Sequence, residues 1–247
     1  MSAGEFERTG EPAALPSVVP GVALWWSDLA HPAADIEHYA LCLSPVEMAR
    51  AARFGTAALR SKYIAGRATL RLLLGRALRI APASVALHRG VRGRPEIAGA
   101  NLPLDFNVSH TEGGAVFAIA HNLPRAARVG VDVERWDRRL DADRLARKFL
   151  TAREQASLHG VDADERRQRF LRYWTCKEAM SKGTGDGLIA PFAHLDVDAG
   201  AALTLLDGPP PYLPDAWRLH VVAVPAGFLA TLAVWSGDGA LTPASRR

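Results

Sequence analysis

Cysteine is scarce in this sequence of 247 residues: there are two, Cys42 and Cys176, and no Cys-x-x-Cys pair. This argues against a zinc site and against a disulfide framework, and it favours a reducing cytoplasm. Long apolar runs are also missing, because the longest one, 221–235, contains a proline and a glycine and is too short to span a bilayer. Residues 1–11 have no apolar core, so we expect neither a signal peptide nor a membrane association.

Lysine is the rare type among the basic residues. Only four of the 30 Lys and Arg residues are Lys, and the net charge is +4, which suits an anionic partner. Two of the four, Lys177 and Lys182, lie in one short run. A Lys ammonium is a compact point charge, whereas an Arg guanidinium is a planar fork, so this run is a candidate site. The sequence has no P-loop and no G-x-G-x-x-G motif, which leaves the common ATP and NAD folds without support.

The order of predicted elements runs through the chain twice. Periodicity and turn signals predict α+β halves at 21–124 and 125–236, each a small antiparallel sheet packed with helices, between flexible segments 1–20 and 237–247. Capping boxes at Ser44/Glu47 and Thr151/Glu154 mark helix starts in both halves. The predicted helices are 45–54, 57–79, 141–150, 151–158 and 163–182. The predicted strands are 22–26, 85–88, 95–97, 106–109, 115–120, 129–134, 195–197, 203–206, 217–224 and 228–235.

Two carboxylates share one face of the strand at 130–134. Asp132 and Glu134 alternate with Val131 and Val133, so strand geometry places the acids about 7 Å apart on the same side. Two carboxylates at this spacing can converge on one hard cation. The alternative is a half-buried strand with a solvated acidic face.

A third carboxylate lies on the helix at 163–182. At about 100° per residue, Glu178 falls on the apolar face between Leu171 and Trp174, with Lys177 and Lys182 on its flanks. A carboxylate among large apolar residues must be paired or metal-bound, because burying it alone is expensive. The alternative is an ion pair between Glu178 and Lys182 at the rim of a core helix.

Two further segments carry polar or basic side chains. Asn107, Ser109 and His110 end a strand before a Gly-Gly turn, and the turn from Arg89 to Arg94 is basic enough to receive phosphate through guanidinium forks and backbone amides. A satisfied turn histidine and a solvated loop are the alternatives. Three acids on two elements indicate Mg²⁺ or Mn²⁺, and cations around them suit a polyphosphate, so the combination points to phosphoryl-type transfer.

These blocks, in this order, resemble the surfactin-type 4′-phosphopantetheinyl transferases. Two of the matching stretches, Gly130 to Glu134 and Trp174 to Leu188, are quite specific in their order and separation, whereas Gly93-Arg94-Pro95 alone is not. The matching stretches are Leu43-Ser44-Pro45 with Arg50 and Arg53-Phe54, Gly93-Arg94-Pro95, Phe106 to His110, Gly130 to Glu134, and Trp174 with Lys177-Glu178-Ala179, Lys182 and Gly185 to Leu188.

The resemblance implies a reaction and a fold. The phosphopantetheine arm of coenzyme A would move to a serine of an apo acyl or peptidyl carrier protein, releasing adenosine 3′,5′-bisphosphate. The fold would be a pseudo-dimer of two α+β halves with coenzyme A between them, so one chain would suffice as a monomer. The partners would be coenzyme A and an acidic helical carrier domain, with no membrane and no nucleic acid. The carrier's pathway, whether fatty-acid, polyketide or nonribosomal-peptide synthesis, stays open.

The resemblance also assigns roles to residues. Asp132, Glu134 and Glu178 would be the Mg²⁺ ligands, with Glu178 also the general base for the carrier serine. Lys182 and His110 would contact the phosphates, and Arg50 would bind the 3′-phosphate side. The coenzyme A contacts are then Arg50, Arg89, Arg94, Asn107, Ser109, His110, Asp132, Lys177 and Lys182. The segment after Glu134, with Arg135, Trp136 and Leu140, is the expected docking surface, and the roles of Arg60 and Lys62 stay open.

Two other classes of function remain. An Arg-rich, metal-dependent nucleic-acid enzyme or binder would also use paired acids, although the basic residues form no single stripe and aromatic residues are sparsely interleaved. A non-catalytic carrier-binding protein would need no intact acidic set, and all three acids are present.

Overall fold

A computed structural model describes residues 11–31, 33–90, 92–99, 103–124 and 126–237. The flexible segments expected at 1–10 and 238–247 lie outside the described residues. Within the described part of the chain, no helix is long and apolar enough to cross a membrane.

The first half is a four-stranded antiparallel sheet with helices against it. Its sheet order is β1-β2-β6-β5, and a separate hairpin is formed by β3 and β4. The helices are α1 (Ala33–Ala40), α2 (Pro45–Ala51) and α3 (Ala57–Leu78). The strands are β1 (Ala13–Leu15), β2 (Val22–Ser27), β3 (Leu87–Arg89), β4 (Pro95–Ile97), β5 (Leu104–Thr111) and β6 (Gly114–His121).

The second half is built on a three-stranded antiparallel sheet of order β10-β11-β7, with a separate hairpin of β8 and β9. The helices are α4 (Ala142–Phe149), α5 (Ala152–Ala156) and α6 (Ala163–Thr184). The strands are β7 (Arg128–Arg135), β8 (Asp196–Ala199), β9 (Leu203–Asp207), β10 (Trp217–Val222) and β11 (Phe228–Trp235).

The two halves share one topology, which confirms the predicted α+β pseudo-dimer. In each, the strand directly before the helices pairs with the last strand, and the last strand pairs with the one before it: β2-β6-β5 and β7-β11-β10. In each, a small hairpin follows the long helix. The exact boundary between 124 and 125 stays a prediction.

Both halves also bury the same capping device. Ser44 and Glu47 form a capping box on α2, and Thr151 and Glu154 form one on α5. Each capping glutamate then binds a cation of the following long helix: Glu47 pairs with Arg71 on α3, and Glu154 pairs with Lys177 on α6. Arg71 and Lys177 are both the fifteenth residue of a 22-residue helix, so the ion pairs are equivalent in the repeat.

The edge strands β5 and β7 meet through side chains where the two halves join. The β7 amides of Val129, Val131 and Val133 donate to Asp105 Oδ2, Asn107 Oδ1 and Ser109 Oγ at 2.7, 3.1 and 3.2 Å. Side chains therefore satisfy backbone groups that a sheet would pair with another strand. The polar face of β5 thus determines the position of β7 relative to the first half.

An apolar core lies beside this junction. It combines valine and alanine side chains of both sheets, among them Val116 and Ala118 of β6 and Val131 and Val133 of β7. Across the junction, the rings of Trp26 and Phe228 meet edge-on with centroids 4.7 Å apart. Shared apolar burial of this kind stabilises the two halves as one unit.

The structure corrects two predictions about the first half. The segment 1–20 was expected to be flexible, but Ala13–Leu15 is a strand that pairs antiparallel with β2. Helix α1 was not predicted, because it is short and its buried face consists of only Ile36 and Tyr39. These two side chains are three residues apart and pack into the core of the first half.

Candidate active site

The acidic centre begins with two buried carboxylates on β7. Asp132 and Glu134 are 4% and 8% exposed. Val131 and Val133 alternate with them and pack into the core shared by the halves. Burying ionised carboxylates is expensive unless charges or hydrogen bonds compensate them, so their partners decide what the site can do.

Helix α6 brings Glu178 and Lys182 to these carboxylates. The approach of α6 to β7 requires a glycine, because a Cβ on Gly130 would lie 1.9 Å from the carbonyl oxygen of Ala179. Gly183, one turn farther along the helix, lies close to the Gly130 amide on the same side. Gly130, the first residue of the Gly130–Glu134 motif, therefore allows the part of α6 with Glu178 and Lys182 to approach β7.

Lys182 and Ser109 hold one oxygen of Asp132. The Lys182 Nζ donates to Asp132 Oδ1 at 2.6 Å and to Ser109 Oγ at 2.7 Å, and Ser109 Oγ donates to the same Oδ1 at 2.8 Å. The other oxygen, Asp132 Oδ2, is buried and has no hydrogen-bond partner among the described residues. A buried acceptor without a partner is costly and marks a position where a ligand would be stabilised.

Glu134 lies beside Asp132, and the half-exposed Arg138 partly compensates its charge. Arg138 forms an ion pair with it, and Thr111 Oγ1 donates to Glu134 Oε2 at 3.5 Å. Burial and the charge of Asp132 raise the pKa of Glu134, whereas Arg138, Lys182 and the Trp174 indole lower it. The charge on Glu134 is thus only partly compensated by its neighbours.

Glu178 has the most perturbed carboxyl group of the site. Burial, together with the charges of Asp132 and Glu134, raises its pKa to about 7, against the lowering effects of Lys182 and Arg138. Three carboxylates therefore repel one another here, and a divalent cation between them would relieve that repulsion. A carboxyl group with a pKa near neutrality is also suited to accept a proton in catalysis.

The chemistry of this centre fits a hard cation, but its carboxylates are not arranged around one common position. All the donors are carboxylate oxygens, which Mg²⁺ prefers, and Asp132 Oδ2 lacks a partner among the described residues. Among those same residues, no three His, Cys, Asp or Glu side chains are already arranged around a common metal position. Arg138 forms an ion pair with Glu134, and Lys182 forms one with Asp132. A metal cation would have to compete with these two ion pairs.

The first half contributes cations and a histidine beside the acids. His110 is the second-last residue of β5, next to Ser109, and burial together with the ammonium groups of Lys182 and Lys62 lowers its pKa, against a raising effect of Asp132. His110 is therefore neutral near pH 7. Lys62, whose role the sequence left open, is close enough to affect this ring.

A basic patch continues from Lys62 along the first half. The exposed Arg50 lies over the Tyr63 ring, with its Cζ 5.7 Å from the ring centroid. Burial raises the pKa of Tyr63, while the guanidinium groups of Arg67, Arg50 and Arg89 lower it. Arg50 and Arg89 therefore belong to one neighbourhood, as expected for residues that bind one anionic molecule. Arg89 is exposed and donates to the carbonyl oxygen of Gly93 at 2.9 Å.

Lys177 does not face this site, so its predicted contact with coenzyme A is wrong. Its side chain is fully buried, and its Nζ donates to Glu154 Oε2 at 2.5 Å and to the carbonyl oxygens of Phe149 and Phe192 at 3.0 and 2.8 Å. Lys177 precedes Glu178 on α6, and a rotation of about 100° places it on the inner side of the helix. No donor of this ammonium is left for a phosphate.

Arg94 and Asn107 are also turned into the protein. The Arg94 guanidinium binds Asp105 and three backbone carbonyls, including that of Lys182, and its side chain is 5% exposed. Asn107 is buried, accepts from the Val131 amide and donates to the carbonyl of Lys182 at 3.4 Å. The expectation that the Arg94 guanidinium binds the nucleotide is wrong, because its donors are engaged between the halves.

The expected docking residues after Glu134 are partly buried. The Trp136 indole donates to the carbonyl of Phe228 at 2.7 Å, and Trp136 and Leu140 pack against the core of the second half. Arg135 pairs with Asp137 at 2.6 Å. Arg138 was missed from the sequence, because it follows a strand, where a four-residue spacing does not bring charges together as it does on a helix.

The comparisons with known proteins match each half separately. The model described as "4′-phosphopantetheinyl transferase, N-terminal" matches residues 30–122, and the model of the 4′-phosphopantetheinyl transferase superfamily matches residues 128–232. The second match contains Asp132, Glu134, Glu178 and Lys182. The two matches divide the chain between β6 and β7, as the two sheets do.

Several named proteins resemble the chain over most of its length. The 4′-phosphopantetheinyl transferase HetI of Nostoc sp. is 34% identical over 86% of this chain and 87% of its own. A putative 4′-phosphopantetheinyl transferase of Synechocystis sp. is 27% identical over 82% of this chain and 80% of its own. The 4′-phosphopantetheinyl transferase AcpT of Escherichia coli is 32% identical over 51% of this chain and 58% of its own. With two topologically equivalent halves and an acidic centre on β7 and α6, this chain belongs to the 4′-phosphopantetheinyl transferase superfamily.

Proposed function

We propose that the protein transfers the phosphopantetheine arm of coenzyme A to a serine of an apo carrier protein. Adenosine 3′,5′-bisphosphate is the second product. The observation that carries this proposal is the arrangement around Asp132: an unpartnered buried oxygen, a neighbouring Glu178 with a pKa of about 7, and Lys182 on the other oxygen. Membership of the transferase superfamily supports the choice of reaction.

Asp132, Glu134 and Glu178 would hold Mg²⁺, with Mn²⁺ as a substitute. A divalent ion bound there would neutralise charge on the pyrophosphate of coenzyme A as the leaving group departs. Lys182 contributes a flexible ammonium to the same anion, and it is already 27% exposed beside Asp132. His110, neutral at pH 7, donates a hydrogen bond to a phosphate oxygen, and an anion bound there would raise the pKa of the ring.

Glu178 is the proposed general base. A serine hydroxyl is a weak nucleophile and needs a base within reach. The serine oxygen forms a bond to the phosphorus that carries the pantetheine arm, and the bond from that phosphorus to the bisphosphate leaving group breaks. The serine proton moves to Glu178, the carboxyl group of this centre that burial and the neighbouring acids make most basic.

The nucleotide end of coenzyme A is assigned to the basic patch of the first half. Arg50, Arg89 and Lys62 surround Tyr63 and His110 and supply positive charge to the 3′-phosphate side. Ser109 acts through Lys182 and Asp132, since its hydroxyl contacts both. The carrier docks near Glu178, and the charge of Arg138 at this rim suits an acidic partner.

One chain supplies both the acids and the cations, so the proposed active form is a monomer. Both cysteines are free and buried, which fits the cytoplasm as the proposed compartment.

Intact mass measurement of an apo carrier tests the proposal. The protein is mixed with coenzyme A, Mg²⁺ and a panel of acyl and peptidyl carriers, and we expect a gain of one phosphopantetheine group on at least one of them. Omitting the carrier serine, by substitution with alanine, provides the control. No mass gain on any carrier, with a folded enzyme, would overturn the assignment.

A further inference from the structure

The Arg94 guanidinium joins four segments at the centre of the molecule. Its Nη1 and Nη2 donate to Asp105 Oδ1 and Oδ2 at 2.9 and 2.8 Å, a bidentate pair on β5. The same Nη2 lies 3.0 Å from the carbonyl oxygen of Phe106 and 2.8 Å from that of Val129 on β7. Its Nε donates to the carbonyl oxygen of Lys182 on α6 at 3.0 Å.

The contact with Lys182 lies at the carboxyl end of α6. The last four carbonyls of a helix have no partner within the helix, and a cation at this end also interacts favourably with the helix dipole. The Lys182 carbonyl receives Arg94 Nε and, more weakly, Asn107 Nδ2 at 3.4 Å. The helix then ends at Gly185, whose φ is 85°, and a Cβ there would lie 3.2 Å from the Cβ of Arg94.

The residue that Arg94 holds by its backbone is the one whose ammonium contacts Asp132. Lys182 therefore has its carbonyl fixed to the first half and its Nζ fixed to Asp132 and Ser109. Asp105, which orients Arg94, also accepts from the Val129 amide at 2.7 Å. One buried ion pair thus connects the end of α6, the start of β7 and the edge strand β5.

We propose that Arg94 is a positioning residue, which caps the last turn of α6 and holds Lys182 and Glu178 in register with Asp132. This role rests on the proposed function of these three residues. It differs from a contact with the nucleotide, because the guanidinium is buried and its donors are aimed at protein acceptors. A lysine at this position supplies a single nitrogen and reaches only part of these acceptors.

Arg71 provides a matched control in the same half. It is 3% exposed, pairs with a buried carboxylate, Glu47, and donates to the backbone carbonyls of Pro82, Ala83 and Val85. It differs from Arg94 in that none of these acceptors belongs to the second half. Arg71→Lys therefore removes a comparable buried network and leaves the end of α6 untouched.

The experiment compares wild type, Arg94→Lys, Asp105→Asn and Arg71→Lys in the full-length protein. Melting temperature, coenzyme A affinity by calorimetry, and kcat and KM for carrier loading are measured for each. For Arg94→Lys and Asp105→Asn we expect kcat to fall about tenfold or more, as for loss of a charged hydrogen bond, with coenzyme A affinity within about threefold. We expect Arg71→Lys to lower the melting temperature about as much as Arg94→Lys does, and to keep kcat within about twofold of wild type.

Hydrogen exchange gives a readout that does not depend on the reaction. In Arg94→Lys, we expect faster exchange at the Val129 amide and in the last turn of α6, whereas Arg71→Lys leaves both unchanged. If the proposed function fails and no carrier is loaded, this exchange difference still tests the positioning role. Equal exchange in the two variants, or a loss confined to coenzyme A affinity in Arg94→Lys, would overturn the inference.

Discussion

The two halves of the molecule share a scaffold and differ in charge at equivalent positions. Counted along the paired strands, Asp132 on β7 corresponds to Trp25 on β2, and Glu134 corresponds to Ser27. On the long helices, Glu178 corresponds to Leu72, the sixteenth residue of each. The second half therefore has all three acids, and the first half has none of them. A repeated fold here supports one chemical centre: the second half supplies the acids together with Lys182 and Arg138, and the first half adds further cations beside them.

What the halves keep in common is the buried capping device. Glu47 binds Arg67 and Arg71, and Glu154 binds Lys177. In both, the glutamate caps a short helix and neutralises a cation on the long one. The comparison teaches that a buried charge inside a motif can stabilise the fold, as Lys177 does, while the adjacent Glu178 lies at the proposed site.

The largest effect is expected when the ion pair of the second half is broken. Lys177→Met leaves Glu154 buried without a countercharge, which costs about 3–5 kcal/mol of unfolding free energy. Arg71→Met in the first half costs less, because Glu47 retains Arg67. Urea unfolding of both variants measures the difference. Equal losses would mean that the two devices are not distinguished by their number of cations.

The second-largest effect is expected at Glu178, whose equivalent position in the first half is Leu72. Glu178→Gln removes the proposed general base and one candidate metal ligand, so we expect kcat for carrier loading to fall about 10²- to 10⁴-fold. The equivalent change in the first half, Leu72→Met, leaves kcat near the wild-type value. A Glu178→Gln enzyme with normal turnover at pH 7 would contradict the assignment.

Lys182→Arg tests whether a point charge is required beside Asp132. The ammonium contacts Asp132 Oδ1 and Ser109 Oγ at once, and a planar guanidinium does not reproduce that geometry. We expect kcat to fall about tenfold, the equivalent of one charged hydrogen bond, with little change in melting temperature. Equal activity would show that any cation serves.

The capping glutamates also differ in their response to acid. Burial raises the pKa of Glu47, but the Ser44 amide and the two arginines outweigh it, so the net pKa is below the usual 4.5. The stability from Glu47 is therefore complete above pH 4.5 and is lost as the pH falls through the lower, folded-state value. The gap in unfolding free energy between wild type and Glu47→Gln narrows over that window. For Glu154, burial raises the pKa, so Glu154→Gln shows no such narrowing.

The smallest effect is expected at Arg138, on the exposed side of the acidic centre. Arg138→Gln breaks a half-exposed ion pair and changes stability by about 1 kcal/mol or less. Because it frees Glu134, we expect tighter binding of Mn²⁺ in a spectroscopic titration. Arg169→Gln, which breaks an i,i+4 ion pair with Glu165 within α6, is the control and leaves Mn²⁺ affinity unchanged. Weaker Mn²⁺ binding in Arg138→Gln would mean that Arg138 does not compete with the cation.

The repeat and the long elements followed from local patterns. The capping boxes at Ser44 and Thr151 and the alternation along β7 are short-range signals, and β4 and β11 have the predicted bounds. The acids were placed together because three carboxylates on two elements fit the ligand preference of one hard cation. Helix α1 was missed because only Ile36 and Tyr39 mark its inner face.

The partners of buried cations did not follow from the sequence. Lys177 finds Glu154, 23 residues earlier, and Arg94 finds Lys182, 88 residues later. A local period tells on which side of an element a residue lies, and it does not tell which distant group will neutralise it. Both residues were therefore predicted to contact coenzyme A, and both instead bind buried groups of the protein.

The central claim is that the acids of the second half form a single cation site. Binding of Mn²⁺ to the full-length protein by electron paramagnetic resonance, with and without coenzyme A, tests it most directly. We predict one strongly bound ion per chain in the wild type and its loss in Asp132→Asn, while Ser27→Ala in the first half binds like wild type. An Asp132→Asn protein that binds Mn²⁺ as the wild type does would contradict the account.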